Sequence, residues 1–556
     1  MIERYQLQGA ASLVTVSADH TVPFRIINPT RKPVTLYRGA TLGTFCQTDE
    51  SLQVFSLSTK TEPAKEPQVE VPDVHVDLAN ADLTNSQKTA LQRLINEYRD
   101  VFALSPQELG RTNLVQHHIN TGDHPPIRQR AYRVPEAQKR RIEQCIDEML
   151  EQDIIQPSTS PWSSPVVLVR KPDGSDRFCV DFRKVNSVTK KDSYRLPRIT
   201  ETLDVLNGAQ FMSSLDFRSG YWQISMDPSS TEKTAFISHA GLYEFKVMAF
   251  GLCNAPSCFQ SLMECVLRGL TWKIALIYLD DVLVYSRTFD AHLEHLRLVF
   301  NRFREAGLKL KPSKCHFGQK KVKFLGHVIS KDGVLPDPDK VSAIKEYPVP
   351  RSVKDVRAFL GLANYYRKFV KDFAKIAGPL HDLTKKGLKF QWSDACQSAF
   401  ETLKEALTQA PILAYPDFTL EFTLATDASD HGLGYVLGQV QNGREVVIAY
   451  GGRKLLPAEK NYSVTEREAL AVVAGIKHYQ HYLYGAHFKV LTDHSAVRWL
   501  MSLKMPCGRL ARWALLLQQY YFDIIHRAGV SNGNADALSR RSYDNIVAAI
   551  DNPGFK

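Results

Sequence analysis

Asp280 and Asp281 stand side by side between two apolar, β-prone runs, KIALIYL before them and VLVYS after. Carboxylates that close oppose each other's ionisation and call for a counter-cation. Hard oxygen donors select Mg²⁺. An isolated Asp-Asp pair is ordinarily a solvated turn, so the surroundings decide. Asp216 ends another apolar strand, in SSLDFRSGYWQI, and brings a third carboxylate. Such a group suits phosphoryl transfer, where catalysis consists of positioning and charge neutralisation. Four further acids stand at element ends. Asp427 follows LEFTLAT, Glu468 lies early in a long helix, Asp493 ends FKVLT, and Asp536 sits in NGNADALSR. Singly each is more often an ordinary structural or surface acid.

The elements that must position these acids are legible in the periodicity. Residues 1–48 read as short strands (SLVTVS, TVPFRIIN, PVTLYRG, ATLGTF), and residues 49–77, rich in Ser, Thr, Glu, Lys and Pro, read as a flexible linker. A helix is expected over NSQKTALQRLINEYRDVF, with Leu91, Leu94 and Ile95 on one face. Another opens at Pro135 as its first residue, with Ile142, Cys145, Ile146, Met149 and Leu150 as its stripe. SSPVVLVRKPDG and DRFCVDFRKVN read as a hairpin turning at Asp173-Gly174. Asp290 is expected to cap a helix with the stripe Leu293, Leu296, Phe300 and Phe303, ended by Gly307. Residues 351–410 look mainly helical. Strands then return in the order β-β-β-α-β-α-β-α, with capping-box spacing at Ser463-Val464-Thr465-Glu466. Strands and helices are mixed, so the fold class is α+β in several domains.

Composition sets the outer bounds. The chain has 556 residues, 44% hydrophobic and 23% charged, which excludes a wholly disordered or collagenous protein. A formal charge of +11 leans toward a polyanionic partner. Nine scattered cysteines with no C-x-x-C pair support neither a zinc ribbon nor a disulfide framework, and read as reduced and intracellular. Neither a signal peptide nor a membrane span is expected.

The ordered series QHHINTGDHPPIRQRAYRVP, FCVDFRKVN, MAFGLCNAPSCFQ, Tyr278-Leu279-Asp280-Asp281, LKLKPSKCHFGQ, VKFLGHVIS and FLGLANYYRKFV resembles a gypsy-like LTR retrotransposon polyprotein, over roughly residues 110–541. TDASDHGLGYVL, TEREAL, LTDH and ADALSR extend the resemblance to a ribonuclease H. It implies a right-hand polymerase with fingers and palm at 78–335, a helical thumb and connection at 336–414, a ribonuclease H at 415–541 and a tail at 542–556. Residues 1–48 would be the spacer that follows a protease in such polyproteins. The implied activity is RNA- and DNA-directed DNA synthesis plus cleavage of RNA in RNA–DNA hybrids. Two Mg²⁺ per site are implied, with Mn²⁺ as an alternative.

The resemblance also assigns roles. Asp216, Asp280, Asp281 and the Phe217 carbonyl would hold metal in the first site; Asp427, Glu468, Asp493 and Asp536 would do so in the second. Lys171 and Arg177 would grip the triphosphate, and Tyr221 would exclude a ribose 2′-hydroxyl. Tyr278, and Phe324-Leu325-Gly326-His327 as a primer grip, would touch the template-primer; Arg509 and His526 would touch the hybrid. Phe250 replaces the glutamine usual in retroviral enzymes and is left outside the catalytic set. Between Asp493 and Arg509 only Arg498 and Lys504 are basic, so the basic helix some cellular ribonucleases H use for grip is expected to be missing.

Implied partners are template-primer, RNA–DNA hybrid, dNTPs and other products of the polyprotein, with no membrane, in the cytoplasm within virus-like particles and with nuclear entry open. Asn120-Thr121-Gly122 lacks the acid of an aspartic protease, and neither an active protease nor an integrase is expected within these residues. The rival expectation is a decayed or domesticated copy that only binds nucleic acid.

Overall fold

The computed structural model describes residues 8–9, 26–27, 73–78, 81–105, 107–170, 176–492, 500 and 508–526. Residues 1–71 and 72–556 form separate compact units. In the first, Gln8–Gly9 pairs antiparallel with Ile26–Ile27. The other strands expected over 1–48 lie outside the described residues.

In the second unit, four antiparallel strands form a central sheet in the order Ala275–Tyr278, Asp281–Ser286, Phe211–Asp216, His316–Gln319. Successive side chains on a strand point to opposite faces. Val282 and Val284 therefore enter one core, with Leu215, Phe259, Phe300, Phe303 and Phe317. Leu283 and Tyr285 enter another, with Met212, Leu276, Leu203, Phe324 and the helices beyond. Burial on both faces is why VLVYS reads as a continuous apolar run rather than an alternating one.

Helices Ala255–Val266 and Phe289–Glu305 cover the first face. The second helix is capped by Thr288, whose hydroxyl accepts from the Ala291 amide, and not by Asp290, which lies in its first turn. Thr288 has the extended backbone a cap requires. Pro135 likewise sits one residue before its helix, Glu136–Glu151, as an extended cap rather than the first helical residue. The last part of the expected linker is also docked. Val74 is fully buried, its amide donates to Asn96 Oδ1 at 3.2 Å, and Gln92 Nε2 donates to its carbonyl at 2.8 Å. Apolar residues at alternate positions, Val74 and Val76, give that stretch a face to bury.

A five-stranded sheet, ordered Ile155–Pro157, Gly241–Phe245, Phe236–Ser238, Ser164–Arg170, Asp176–Val180, carries the expected hairpin at its edge. Residues 171–175 of its turn, Lys171 among them, lie outside the described residues. Hairpin Lys321–Phe324/His327–Ser330 and strand Gly333–Pro336 lead into helices Pro338–Lys345, Val353–Tyr365 and Asp394–Thr408.

The last sheet runs Arg444–Lys454, Gly432–Gln441, Phe422–Ala428, His487–Thr492, Tyr521–His526, with the first three antiparallel and the last two parallel to their neighbours. Helix Val464–His478 packs on it and opens with the expected Ser463/Glu466 capping box. The helix expected through NADALSR lies outside the described residues. Leu424, Leu437, Val472, Ile476 and Val490 fill one core. Tyr450, Val436 and Val447 point the other way, into the core shared with the central sheet and the helical region.

That shared core is latched by a buried polar cluster. Tyr482 donates to Asp204 Oδ2 at 2.6 Å across 278 residues of sequence. Burial pushes the Asp204 carboxyl up to about 6, against the opposing pull of Tyr482 and Lys368. Burial lowers the Lys368 ammonium to about 8, with Asp204 resisting. A hydrogen bond to a charged group is worth about 1.5–3 kcal/mol, against about 0.5–1.5 for a neutral one. Asp204 is ionised above pH 6 and protonated well below it. Tyr482→Phe should therefore cost more stability at pH 7.5 than at pH 4.5, read as the loss in urea midpoint at each pH. Equal losses would mean that Asp204 does not accept from Tyr482 as a carboxylate.

Candidate active sites

Asp216, Asp280 and Asp281 meet at one end of the central sheet. Asp216 and Asp281 lie opposite each other in the ladder, and Tyr278 pairs with Asp281 across a two-residue turn, Leu279-Asp280. Leu279 has φ +54°, a left-handed conformation that glycine ordinarily takes in hairpin turns. Such a residue costs on the order of 1–3 kcal/mol and persists only where its surroundings hold it. Here the fully buried Gln260 does so: its Oε1 accepts from the Leu279 amide at 2.8 Å. Behind the sheet His292 bridges the strands, with Nε2 2.7 Å from Ser213 Oγ and Nδ1 3.0 Å from Ser286 Oγ. Burial lowers its pKa to about 3, so it serves as a neutral hydrogen-bonding link. Ser213 Oγ also accepts from the Gly318 amide at 3.0 Å, which ties in the fourth strand.

The trio is electrostatically loaded. Burial, then Asp281 and Asp216, raise Asp280 to about 6. Burial and Asp216 raise Asp281 as well. Asp280 Oδ1 is buried with no hydrogen-bond partner. Lys314 Nζ lies 3.3 Å from Asp216 Oδ2, and its charge opposes both upward shifts. An orphaned carboxylate oxygen beside two further acids offers the hard oxygen chemistry a divalent cation takes, though among the described residues no three such side chains are already gathered around one ion position. Phe217 is buried beside Phe259 and Phe303, anchoring the backbone that follows Asp216.

Tyr221 flanks this cluster. Its ring stacks on Phe250 with centroids 5.1 Å apart, and burial followed by the Asp280 charge raises its pKa. Arg177, exposed on the edge hairpin, places its guanidinium 5.1 Å from the Phe250 centroid. Phe250 thus touches both residues. Sequence reasoning set Phe250 aside, and missed Gln260 and Lys314. Only Gln260 had a signal, as a polar residue on the apolar stripe of its helix.

The turn Leu325-Gly326 has positive φ at both residues, +48° and +66°, and glycine serves the second. Tyr365 and Tyr366 hold it: their hydroxyls donate to the carbonyls of Leu325 at 2.7 Å and Gly326 at 2.6 Å. Phe324 and His327 are buried, and burial lowers His327 to about 3. Tyr278, partly buried, packs against the same core.

The second cluster is described only in part. Asp427, exposed near the end of its strand, lines a narrow crevice with Asp372, Lys375, Ser429 and Gly434. Glu468, 7% exposed, lines an adjoining cleft with Ala428, Ser429 and Arg467. Ser429 borders both, so the two acids face neighbouring recesses. Asp493 and Asp536 lie outside the described residues. Arg509 is spent on an ion pair with Glu466 and on the Tyr462 ring, whose centroid lies 4.2 Å from its guanidinium carbon. His526 is exposed at the end of the edge strand, opposite Thr492.

Comparison with known proteins gives these sites a context. Residues 169–329 match the profile of the reverse transcriptase (RNA-dependent DNA polymerase) family, and residues 392–490 that of the RNase H-like domain found in reverse transcriptase. The retrovirus-related Pol polyprotein from transposon 297 of Drosophila melanogaster is 41% identical, over 81% of this chain and 43% of its own length. That from transposon gypsy of the same species is 36% identical, over 80% and 44%. The transposon Tf2-3 polyprotein of Schizosaccharomyces pombe is 34% identical, over 75% and 31%. The chain thus spans less than half the length of these relatives. A foamy viral protease-reverse transcriptase dRH in complex with double-stranded DNA shares the fold, with TM-score 0.74, 24% identity and coverage of 81% of this chain and 80% of that one. The foamy viral protease-reverse transcriptase in complex with RNA/DNA hybrid gives TM-score 0.69 at 24% identity, covering 81% and 62%.

Gln260→Leu removes the acceptor for the Leu279 amide and should cost about 1–3 kcal/mol. Amide hydrogen exchange at Leu279 should accelerate more than at the strands on either side. Lost stability without faster exchange at Leu279 would place the role of Gln260 elsewhere.

Proposed function

Since the chain is related to the Pol polyproteins of gypsy-like LTR retrotransposons, we propose that it copies RNA, and then DNA, into DNA, and that its last domain cleaves the RNA strand of the resulting hybrid. The observation that carries the reading is the convergence of Asp216, Asp280 and Asp281 around an unpartnered buried oxygen, beside Tyr221 and Arg177. Asp216, Asp280, Asp281 and the Phe217 carbonyl would hold two Mg²⁺, or Mn²⁺ in their place. Bound there, the ions supply neutralisation for the 3′-oxygen and the departing pyrophosphate.

The chain's own residues do the rest. Arg177, joined by Lys171, meets the triphosphate with a fork that stays charged. Gln260 and Leu279 fix where Asp280 points. The tyrosine-clamped turn 325–326 offers a stiff ledge for the primer strand. Tyr221 fills the space a ribose 2′-hydroxyl needs. In the second domain Asp427 and Glu468, with Asp493 and Asp536, would hold divalent ions, whose chemistry there would be to polarise a water, and contacts to 2′-hydroxyls would select the RNA strand. Template-primer, hybrid and dNTPs are the partners, and the cytoplasmic particle of the element is the site of action. Neighbouring folds seen with double-stranded DNA and with RNA/DNA hybrid support the nucleic-acid part of this reading.

The two activities should separate. Asp280→Asn should abolish extension of oligo-dT on poly-rA while labelled RNA in a hybrid is still cut; Asp427→Asn should do the reverse. Joint loss in either variant would argue for one shared site or a folding defect.

Tyr221→Ala should raise the kcat/KM ratio of rCTP to dCTP opposite template G, with some general loss of rate from poorer positioning. Its stacking on Phe250 and half-buried position also predict a loss of stability. An unchanged ratio with a lowered melting temperature would leave Tyr221 as a packing residue only.

A further inference from the structure

The crevice at Asp427 has a wall that comes from outside its own sheet. After Val370 the chain turns at Asp372, φ +55°, and the short helix Phe373–Ile376 packs against strands Gly432–Gln441 and Arg444–Lys454. The seam is built closely. Arg367 Nη2 donates to the Gly452 carbonyl at 2.7 Å, and Lys454 Nζ lies 2.7 Å from Asp382 Oδ2. A Cβ at Gly434 would come within 2.8 Å of Asp372 Oδ1, so the absence of a side chain there lets Asp372 sit against the strand. Asp372 and Lys375 are thereby fixed at the lip of the Asp427 crevice.

Lys375 is the cation that lines the crevice itself. Four others around that edge are neutralised: Arg453 by Glu459, Lys454 by Asp382, Arg467 by Asp430 and Arg509 by Glu466. Lys375 is exposed, and among the described residues it takes part in no ion pair. Lys371, four residues before it and outside the helix, is exposed and in no ion pair among the described residues too. An unneutralised ammonium held beside an acidic crevice suits a phosphate that approaches that crevice.

We propose that Lys375 is a substrate-binding residue of the second active site, contacting a backbone phosphate of the hybrid near the one cut at Asp427. The helical region between the two enzymatic parts is then one wall of the nuclease site. This rests on the ribonuclease H reading, and it supplies the grip that the expected lack of a basic helix removes.

The test uses the full chain and a labelled RNA–DNA hybrid over a series of salt concentrations. Lys375→Ala should raise KM for cleavage severalfold with kcat little changed. It should also make the slope of log affinity against log salt shallower by about 0.7–0.9, one phosphate contact. Lys375→Arg should restore both. Lys386→Ala, an exposed lysine in the loop before the next helix, is the charge-matched control and should leave both at wild-type values. Wild-type KM and slope in Lys375→Ala would overturn the proposal, as would equal losses in the control. Asp427→Asn separates the two levels. If it still cleaves, the ribonuclease H reading itself falls; if it is dead while Lys375→Ala behaves as wild type, only the assignment of Lys375 falls.

Discussion

Three carboxylates that repel one another are held together at the end of a sheet, and much of the molecule serves that constraint. Left to itself, such a cluster would spread apart or take up protons. Spreading is prevented because Asp216 and Asp281 are ladder partners in strands whose two faces are both buried. Slipping the register by one residue would exchange the contents of two cores at once. The turn that carries Asp280 has no such protection, and its left-handed Leu279 is held from below by Gln260. What remains is charge, part of it met by Lys314 and part kept as an elevated carboxyl on Asp280.

The same sheet explains how the chain is joined. Its second face shares a core with the helical region and with the outward face of the last sheet. The Asp204–Tyr482 contact lies at that boundary, and the seam around Asp372 and Gly434 lies at another part of it. Distance in sequence between the two acidic clusters is thus spanned by packing rather than by a loose tether.

Much of this was written in local sequence. The adjacent aspartates, the strand ending at Asp216, the capping box at Ser463 and the stripe Ile142, Ile146, Met149 each depend on spacings of a few residues, and each has its counterpart in the structure. Cap positions were less legible, because Thr288 and Asp290 are both good caps and only the backbone at 288 decides between them. The docked Val74 was hidden by its polar neighbours. Phe250, Lys314 and the Tyr365–Tyr366 clamp act on partners brought near by the fold, and no local period announces them; Gln260 interrupts the apolar stripe of its helix, but the amide it serves lies 19 residues away. The partner of Arg509 is equally remote: Glu466 lies 43 residues earlier.

The outward face of the last sheet has a further meaning for how such chains are assembled. Val436, Val447 and Tyr450 are interior residues only while residues 336–414 lie over them. Excised at its sequence boundary, this domain would carry a bare apolar patch and a glycine-lined groove shaped to another segment. Exchanging this sheet without residues 336–414 would require those positions to be rebuilt as a surface that water can wet.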